Sequence, residues 1–251
     1  MTPRRAVHAD ARCYHRSISE PTVDPITIAL AVALVPVVGV GAAFWSRRKG
    51  AAKVRSRPRE LAAAGAPLGL TPVPGLQAYA SFALKGAIFP WAQAVAAVRG
   101  TSPSGEVSVI DLGLGKTGGG GPSHLETVAV FHGAHGLPRM VIQPRGCERT
   151  AEVALRTLRF KEVHTETAHD DETYFSLSYT VQAQDEAAAR ARFTRAAIAA
   201  FIKLEDACVT PCLDVLPDRI AFCWASKAVE QADLEAFLDE GRRLIEALRG
   251  K

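Results

Sequence analysis

The chain has 251 residues, 48% of them hydrophobic and 22% charged, with a net charge of +4 and 5 cysteines. This is enough apolar sequence for one sizeable core, and the low, odd cysteine count excludes a disulfide-rich secreted scaffold. The positive charge lies near the N-terminus, because from Leu61 onward 19 Lys and Arg stand against 22 Asp and Glu. We therefore expect no nucleic acid partner, since nucleic acid binding needs a basic face on the folded domain.

The first 45 residues predict a tail followed by a membrane helix. Residues 1–25 are polar and lack periodicity, which is typical of a disordered tail. Residues 26–45 carry no charged side chain, and as a helix they span about 30 Å, the thickness of the hydrocarbon core of a bilayer. Asp24 and Pro25 suit the start of a helix, and Trp45 suits the membrane interface. We predict a transmembrane helix over residues 26–45.

A cleaved signal peptide is the alternative interpretation of this segment, because Gly41, Ala42 and Ala43 resemble a cleavage site. The apolar run is longer than the usual core of a signal peptide, and a basic cluster follows it directly. Both features favour an anchor that stays in place.

The charges on either side of the membrane segment predict its orientation. Between Ser46 and Glu60 there are seven Lys and Arg, whereas the twenty residues before the segment hold two. The positive-inside rule then places the C-terminal part in the cytoplasm, so we expect a single-pass protein of the cell membrane. Its first partner is the lipid bilayer itself, and the basic strip favours a contact with anionic lipid heads. The membrane-surface candidates are Arg47, Arg48, Lys49, Lys53 and Arg55.

Residues 46–75 are rich in Ala, Gly, Pro and basic side chains, which predicts a basic juxtamembrane linker. Within it we expect at most one helical turn, from Glu60 to Ala64. The folded domain is predicted over residues 76–251. Its first stretch, Phe82 to Val98, is apolar and small, and the pattern leaves strand and helix both open.

Short β-rich runs separated by Gly and Pro predict an antiparallel sheet. The first three are Glu106 to Leu112, Thr127 to His132 and Arg139 to Gln143. Their connections are too short for crossover helices, so neighbouring strands should run antiparallel. Thr173 to Val181 alternates apolar and polar side chains, and we predict it as the clearest strand.

The C-terminal part predicts two long helices around one more hairpin. Asp185 should begin a helix, and Glu230 to Leu248 repeats apolar residues at three and four positions. Cys208 to Val215 and Arg219 to Ala225 predict the hairpin. A helix is also expected at Glu148 to Leu158. The fold class is therefore α+β, with a mostly antiparallel sheet of six to eight strands and two long helices packed on it, on one face.

The stretch from Leu112 to Gly121 contains Gly115, Lys116 and Thr117, which resembles part of a phosphate-binding loop. The first glycine of that motif should lie five residues before Gly115, where the chain has Ile110. A helix must also follow the loop, whereas a strand is predicted here. We therefore interpret the stretch as a hairpin loop.

No metal or cofactor site is expected. His132 and His135 lie at a strand end, and the His, Asp and Glu residues between positions 164 and 171 lie in an acidic loop. Cys208 and Cys212 have neither redox-pair nor zinc-site spacing, so the cysteines are interpreted as buried apolar side chains.

Several short motifs together resemble a group of uncharacterised bacterial single-pass membrane proteins with a cytosolic α+β domain. The resemblance implies this architecture from Leu68 to the C-terminus, and it implies no activity and no site residue. The motifs are Leu68-Gly-Leu70, Phe82 with Lys85-Gly86, Val98-Arg99-Gly100, residues 106–112, residues 127–131, Leu137-Pro138 with Gln143-Pro-Arg145, and Phe175 with Tyr179 before Asp185.

Because no catalytic motif is present, our leading hypothesis is a non-enzymatic binding or scaffolding module that meets a protein partner at the inner face of the membrane. A membrane-tethered enzyme, hydrolase-like and without a recognisable motif, is the alternative, and Asp111, His124 and His132 are its candidate catalytic residues. A third hypothesis is a module that senses anionic lipids through the basic strip.

Overall fold

The computed structural model describes residues 54–85, 93–102, 105–114, 124–146, 159–165, 170–206, 210–225 and 227–250. The chain divides into two units, Met1–Trp45 and Ser46–Lys251, and every described residue lies in the second. Among the helices in these ranges, none combines the length and the apolar character that crossing a bilayer requires. The predicted membrane helix at residues 26–45 lies outside the described residues and stays a prediction.

The described part of the domain is built on one antiparallel sheet of nine strands, in the order β1-β2-β3-β4-β9-β8-β5-β7-β6. The α+β class with a large antiparallel sheet is thus confirmed. The strands are β1 Thr71–Pro72, β2 Gln93–Ser102, β3 Gly105–Leu114, β4 His124–His132, β5 Met140–Pro144, β6 Lys161–Glu162, β7 Tyr179–Ala183, β8 Pro211–Leu216 and β9 Arg219–Trp224.

Six α-helices accompany the sheet in the described ranges, with two short 3-10 segments at Ala66–Leu68 and Gln231–Asp233. The helices are α1 at residues 54–65, α2 Leu76–Ala83, α3 Asp170–Ser178, α4 Glu186–Arg190, α5 Arg195–Asp206 and α6 Leu234–Arg249.

One face of the sheet carries the larger apolar core, and both predicted long helices, α5 and α6, contribute to it. The buried stripe of α6 meets the aromatic side chains of β9, where Phe237 stacks on Phe222 with 4.9 Å between ring centroids. Gly241 allows this approach, because a Cβ there would lie 2.7 Å from Phe222 and 2.8 Å from Phe131. The opposite face has a smaller core, to which α2 contributes.

Helix α1 lies where a linker was predicted. Leu61 and Ala64 are buried in the larger core, and Arg57 on the same helix is 4% exposed. These three positions recur at three and four residues, so they share one face of the helix. The folded part therefore includes residues well before Leu76, and the Ala-rich stretch is helical because its apolar side packs on the sheet.

The strand predicted from Thr173 to Val181 is wrong in its first half. Helix α3 continues to Ser178, and only Tyr179–Ala183 forms a strand. Phe175 and Tyr179 are both buried and their rings stack at 4.9 Å, while Leu177 is 71% exposed. An alternating strand would have buried Leu177 as well, whereas a pair at i and i+4 satisfies the helical period.

The strands predicted at Glu106 to Leu112, Thr127 to His132 and Arg139 to Gln143 correspond to β3, β4 and β5. The helix predicted at Glu148 to Leu158 lies outside the described residues. Asp185 does begin a helix, because its side chain accepts a hydrogen bond from the Ala188 N–H. The helix then stops and restarts at α5, where the Thr194 hydroxyl accepts from the Ala197 N–H at 3.3 Å. The strands β8 and β9 form the predicted hairpin, and β3 pairs with β4 around the glycine-rich loop, whose residues 115–121 lie outside the described part.

Candidate functional site

Asp111 is fully buried and is hydrogen bonded by two side chains from different parts of the fold, Arg57 and Thr127. It lies on β3, and its carboxylate accepts from Arg57 Nε at 2.7 Å and from the Thr127 hydroxyl at 2.5 Å. Arg57 also donates to the Val229 carbonyl, and the Val229 N–H donates to Thr127 Oγ1 at 2.9 Å. The network ties α1, the sheet and the segment before α6 together.

The arrangement of this network suits stabilisation of the fold and does not suit catalysis. Burial raises the pKa of Asp111, and the neighbouring Arg57 guanidinium and Thr127 hydroxyl act against that rise. The carboxylate is 0% exposed and its hydrogen bonds point to protein groups, so a substrate has no access to it. Asp111 as a catalytic residue finds no support in this geometry.

His132, the second candidate, is part of a hydrogen-bonded chain on the other face of the sheet. Its Nε2 lies 2.8 Å from Ser108 Oγ, and Ser108 Oγ is in turn hydrogen bonded to the Tyr79 hydroxyl. Tyr79 belongs to α2, Ser108 to β3 and His132 to the end of β4. The chain therefore connects the helix on this face to two neighbouring strands.

The surroundings of His132 keep its imidazole neutral at pH 7. Burial lowers its pKa, Glu106 acts in the opposite direction, and Arg99 and Arg219 lower it further. Glu106 Oε1 lies 3.8 Å from His132 Nε2 and 2.6 Å from Arg99 Nε, and the hydrogen bond from Arg99 lowers the pKa of Glu106.

A serine beside a neutral histidine is the arrangement of a nucleophile and its base. Ser108, however, is 0% exposed in the middle of β3, and the Tyr79 hydroxyl occupies its outer side. An acyl substrate cannot reach its oxygen without moving α2. The pair therefore serves here to fix α2 on the sheet.

A groove of about 310 Å³ opens at the edge of the sheet, beside the hydrogen-bonded side chains of Tyr79, Ser108 and His132. One wall is the segment from Thr71 to Pro74, and the other is formed by β2 and β3. Arg99 lies with its guanidinium 5.8 Å from the centroid of the Tyr79 ring, and its side chain is 50% exposed. The residues that line the groove are Thr71, Pro72, Val73, Pro74, Arg99, Gly100, Thr101 and Glu106.

The groove offers hydrogen-bond donors, a carboxylate and an apolar wall within one small volume. Arg99 remains cationic, because its hydrogen bond to Glu106 raises the pKa of the guanidinium. Thr71 and Thr101 line the same space as the ion pair, together with Pro72, Val73 and Pro74, and the Thr71 hydroxyl donates to the Arg99 carbonyl at 3.3 Å. Such a surface can hold a small polar molecule or a few residues of an extended peptide.

The other predicted site residues belong neither to the Asp111 network nor to the hydrogen-bonded side chains around His132. The side chain of His124 and the residues Arg47, Arg48, Lys49 and Lys53 lie outside the described part, while Arg55 is exposed on α1. In the ranges that the structure describes, no group of three or more His, Cys, Asp or Glu is arranged to hold a metal ion.

The sequence interpretation missed Tyr79, Arg99, Glu106 and Ser108. The available signal was the polar side of β3, where Glu106 and Ser108 alternate with buried valines. Register places Arg99 directly across from Ser108. That register could not be read from the sequence, because residues 86–92 gave no clear strand start.

Comparison with known proteins finds one similar solved structure and no matching family. No family model matches the chain, and no curated protein matches it. Among solved structures it is similar to the crystal structure of the mycobacterial trehalose monomycolate transport factor A, TtfA. That similarity has a TM-score of 0.49 and 14% sequence identity, over 78% of this chain and 95% of the other. A likeness of this degree shows neither the family nor the function of this chain.

Proposed function

We propose that the domain is a binding module, held at the cytoplasmic face of the cell membrane by residues 26–45, and that it binds an extended segment of a partner protein in the groove beside β1. The proposal rests on one observation: β1 stops pairing with β2 before β2 itself ends. β1 pairs with β2 only at Thr71 with Arg99 and Pro72 with Val98, whereas β2 continues to Ser102.

Gly100 and Thr101 of β2 line the groove just beyond that end. Gly69 and Leu70, which precede β1, already pack against Gly100, so an extended peptide would pair with β2 from Thr101 onward. Addition of a strand at a sheet edge is a common mode of peptide recognition. The main chain supplies affinity in this mode, and the pockets beside it supply selectivity. This geometry favours a protein segment over a compact small molecule.

The charges in the groove suit a segment that carries both signs. Arg99 can pair with an acidic side chain of the partner, and Glu106 can pair with a basic one, at the expense of their mutual 2.6 Å ion pair. Because that pair is about half exposed, its loss costs little, about 0–1 kcal/mol. Exchange of partners is therefore energetically accessible.

The candidate catalytic residues support this proposal by their placement. Asp111 is used by the Arg57 network, and Ser108 beside His132 is closed by Tyr79. The hydrolase alternative loses the support of Asp111 and of the Ser108–His132 pair, because neither is open to a substrate. The binding proposal needs none of them.

The test is crosslinking in native membranes with the tagged full-length chain as bait, comparing Arg99→Ala with Arg190→Ala. Arg190 is a matched control, because it forms an ion pair with Glu186 at the same 2.6 Å and is 55% exposed. We expect Arg99→Ala to recover about fivefold less of a specific partner, and Arg190→Ala to recover as much as the unchanged chain. Equal recovery of the partner by both variants would contradict the proposal that the partner binds in the groove.

Membrane attachment is tested separately. A reporter that is active only outside the cytoplasm, fused after Lys251, should be inactive under this proposal. Activity of that reporter would show that the C-terminal part lies outside the cytoplasm, which would contradict the proposed orientation. Replacement of residues 26–45 by an unrelated membrane helix should leave the partner unchanged, whereas loss of the partner would move recognition into the anchor.

A contact with anionic lipids is a second proposal, favoured by the exposure of Arg55 and Arg59 on α1. Arg57 between them is turned into the core and is unavailable to lipid. Replacing Arg55 and Arg59 by Ala should weaken binding of residues 46–251 to phosphatidylserine vesicles, and raising the salt concentration should do the same. Vesicle binding that responds to neither change would contradict it.

A further inference from the structure

The centre of the sheet holds two cysteines directly across from each other. Cys212 on β8 and Cys223 on β9 are register partners in an antiparallel pair, so their side chains lie on the same face. Residues in this relation have Cα atoms about 4.5–5.5 Å apart, which falls inside the range that a disulfide spans. Directly opposite Cβ atoms lie about 4.5–5.5 Å apart and a disulfide holds them at about 3.5–4.5 Å, so a bridge requires the two strands to approach each other slightly.

Both thiols are free and buried among apolar side chains of the smaller core. The side chain of Cys223 is hydrogen bonded to Cys212 and also interacts with the carboxyl group of Glu126, on β4. Glu126 is itself 0% exposed. The nearby carboxyl group raises the pKa of Cys223, after the larger effects of Cys212 and of burial, and so favours the thiol over the thiolate.

We propose that Cys212 and Cys223 form a redox site, which hydrogen peroxide oxidises to an intramolecular disulfide. This inference is independent of the binding function. The site lies between β9 and β8, where the strand order passes from the part that holds β1 to β4 to the part that holds β5 to β7. A covalent bond at this point joins the two parts of the sheet.

The chemistry balances with peroxide as the oxidant. The sulfur of one cysteine attacks a peroxide oxygen, the O–O bond breaks, and the products are a sulfenic acid and one water. The second sulfur attacks the sulfenic sulfur, the S–O bond breaks, and hydroxide leaves with a proton as a second water. Two thiols lose two electrons and two protons in total, and one peroxide becomes two waters.

Burial and the neighbouring thiol shape the rate of this reaction. The hydrogen bond with Cys212 and the loss of solvent raise the pKa of Cys223 well above its ordinary value, so the thiol form persists at rest. We therefore expect slow oxidation under sustained peroxide and no rapid response to traces of it.

Closing the hairpin covalently should stabilise the fold. The bridge encloses a loop of about twelve residues, and the chain-entropy relation for that length corresponds to a rise in Tm of roughly 6–10 °C. The native strands already hold the two positions opposite each other, so the bond forms between neighbours in the folded state.

The experiment uses the full-length chain with Cys13, Cys147 and Cys208 replaced by Ser, which leaves the proposed pair as the only cysteines. The folded protein is treated with hydrogen peroxide, the excess peroxide is removed, and the protein is then unfolded in urea with an alkylating reagent and digested. We expect one linked peptide pair, a loss of two hydrogens in mass, and a Tm that rises by the stated amount and returns after reduction. Further replacement of Cys212 by Ser should abolish all three effects.

Three outcomes would overturn the inference. The first is that both thiols are still reduced after prolonged peroxide treatment of the folded protein, so that both are alkylated once it is unfolded. The second is oxidation of either sulfur to a sulfinic acid without a linked peptide. The third is a link that forms only when peroxide is added to the chain already unfolded in urea. Circular dichroism of each variant before oxidation establishes that the fold is present when the thiols are tested.

Discussion

The buried ion pair between Arg57 and Asp111 makes a strong prediction about stability. The two side chains are 5% and 0% exposed, and Arg57 donates to Asp111 at 2.7 Å and 3.3 Å. Asp111→Ala leaves a guanidinium buried without its carboxylate, and breaking such a pair costs about 3–5 kcal/mol. For a folded domain of this size that loss lowers Tm by roughly 6–20 °C.

Replacement of both partners should cost far less than replacement of one. Burial raises the pKa of Asp111 in spite of Arg57, which means that the desolvation of the carboxylate outweighs the attraction of the guanidinium. A double variant, Arg57→Met with Asp111→Leu, removes both desolvation costs and keeps the apolar packing. We expect its stability to lie within about 2 kcal/mol of the unchanged chain.

Urea unfolding of the full-length variants measures both effects, with Glu186→Ala as the control. Glu186 forms an ion pair with Arg190 on the surface of α4, and its removal should cost no more than about 0.5 kcal/mol. The reasoning is refuted if Asp111→Ala costs less than about 1 kcal/mol, or if the double variant is as unstable as the sum of its two single variants.

Three further predictions concern single residues. Gly241→Ala should cost about 1–3 kcal/mol, because the new Cβ would lie 2.7 Å from the Phe222 ring, and unchanged urea unfolding would contradict this close packing. Burial lowers the pKa of His132, so the folded state favours the neutral ring; stability should be full above pH 6.5 and fall as the pH drops through the lowered pKa, and His132→Gln should flatten this part of the profile. Tyr79→Phe should cost about 0.5–1.5 kcal/mol by removing the hydroxyl that bonds Ser108, and a larger loss of partner binding than of stability would show that the hydroxyl also serves the groove.

The regular elements of this fold were predictable where one physical signal dominated. Helix α6 buries Leu234, Phe237, Leu238 and Leu244 at helical spacing, and its predicted limits agree with the structure within a few residues. The β8–β9 hairpin was equally clear, since strong β-formers flank a two-residue turn at Pro217 and Asp218.

Predictions were wrong where the same residues fit both the period of a strand and the period of a helix. Phe175, Leu177, Tyr179 and Val181 alternate like a strand, yet Phe175 and Tyr179 also satisfy the helical spacing of four. Only the tertiary structure decides between the two readings, by burying the i, i+4 pair and leaving Leu177 exposed. Composition misled in the same way at α1, where Ala, Arg and Gly suggested a linker although Leu61 and Ala64 pack in the core.

The candidate site depends on pairings that no local pattern contains. Asp111 was noticed because it is an acidic residue in an apolar strand, but its partner Arg57 lies 54 positions earlier in the chain. Tyr79 and Ser108 meet because α2 packs on β3, and Arg99 meets Glu106 because β2 and β3 form a hairpin. Contacts of this kind follow from register and packing, which the sequence alone did not specify.

Site-specific photocrosslinking from the groove tests the central claim most directly. A photoreactive residue at Thr101, which lines the groove, is compared in native membranes with one at the exposed Arg190 of α4. The account predicts a discrete protein adduct from position 101, absent from position 190 and diminished by Arg99→Ala. The absence of a protein adduct from position 101, or the same adducts from both positions, would contradict the claim that the groove binds a partner.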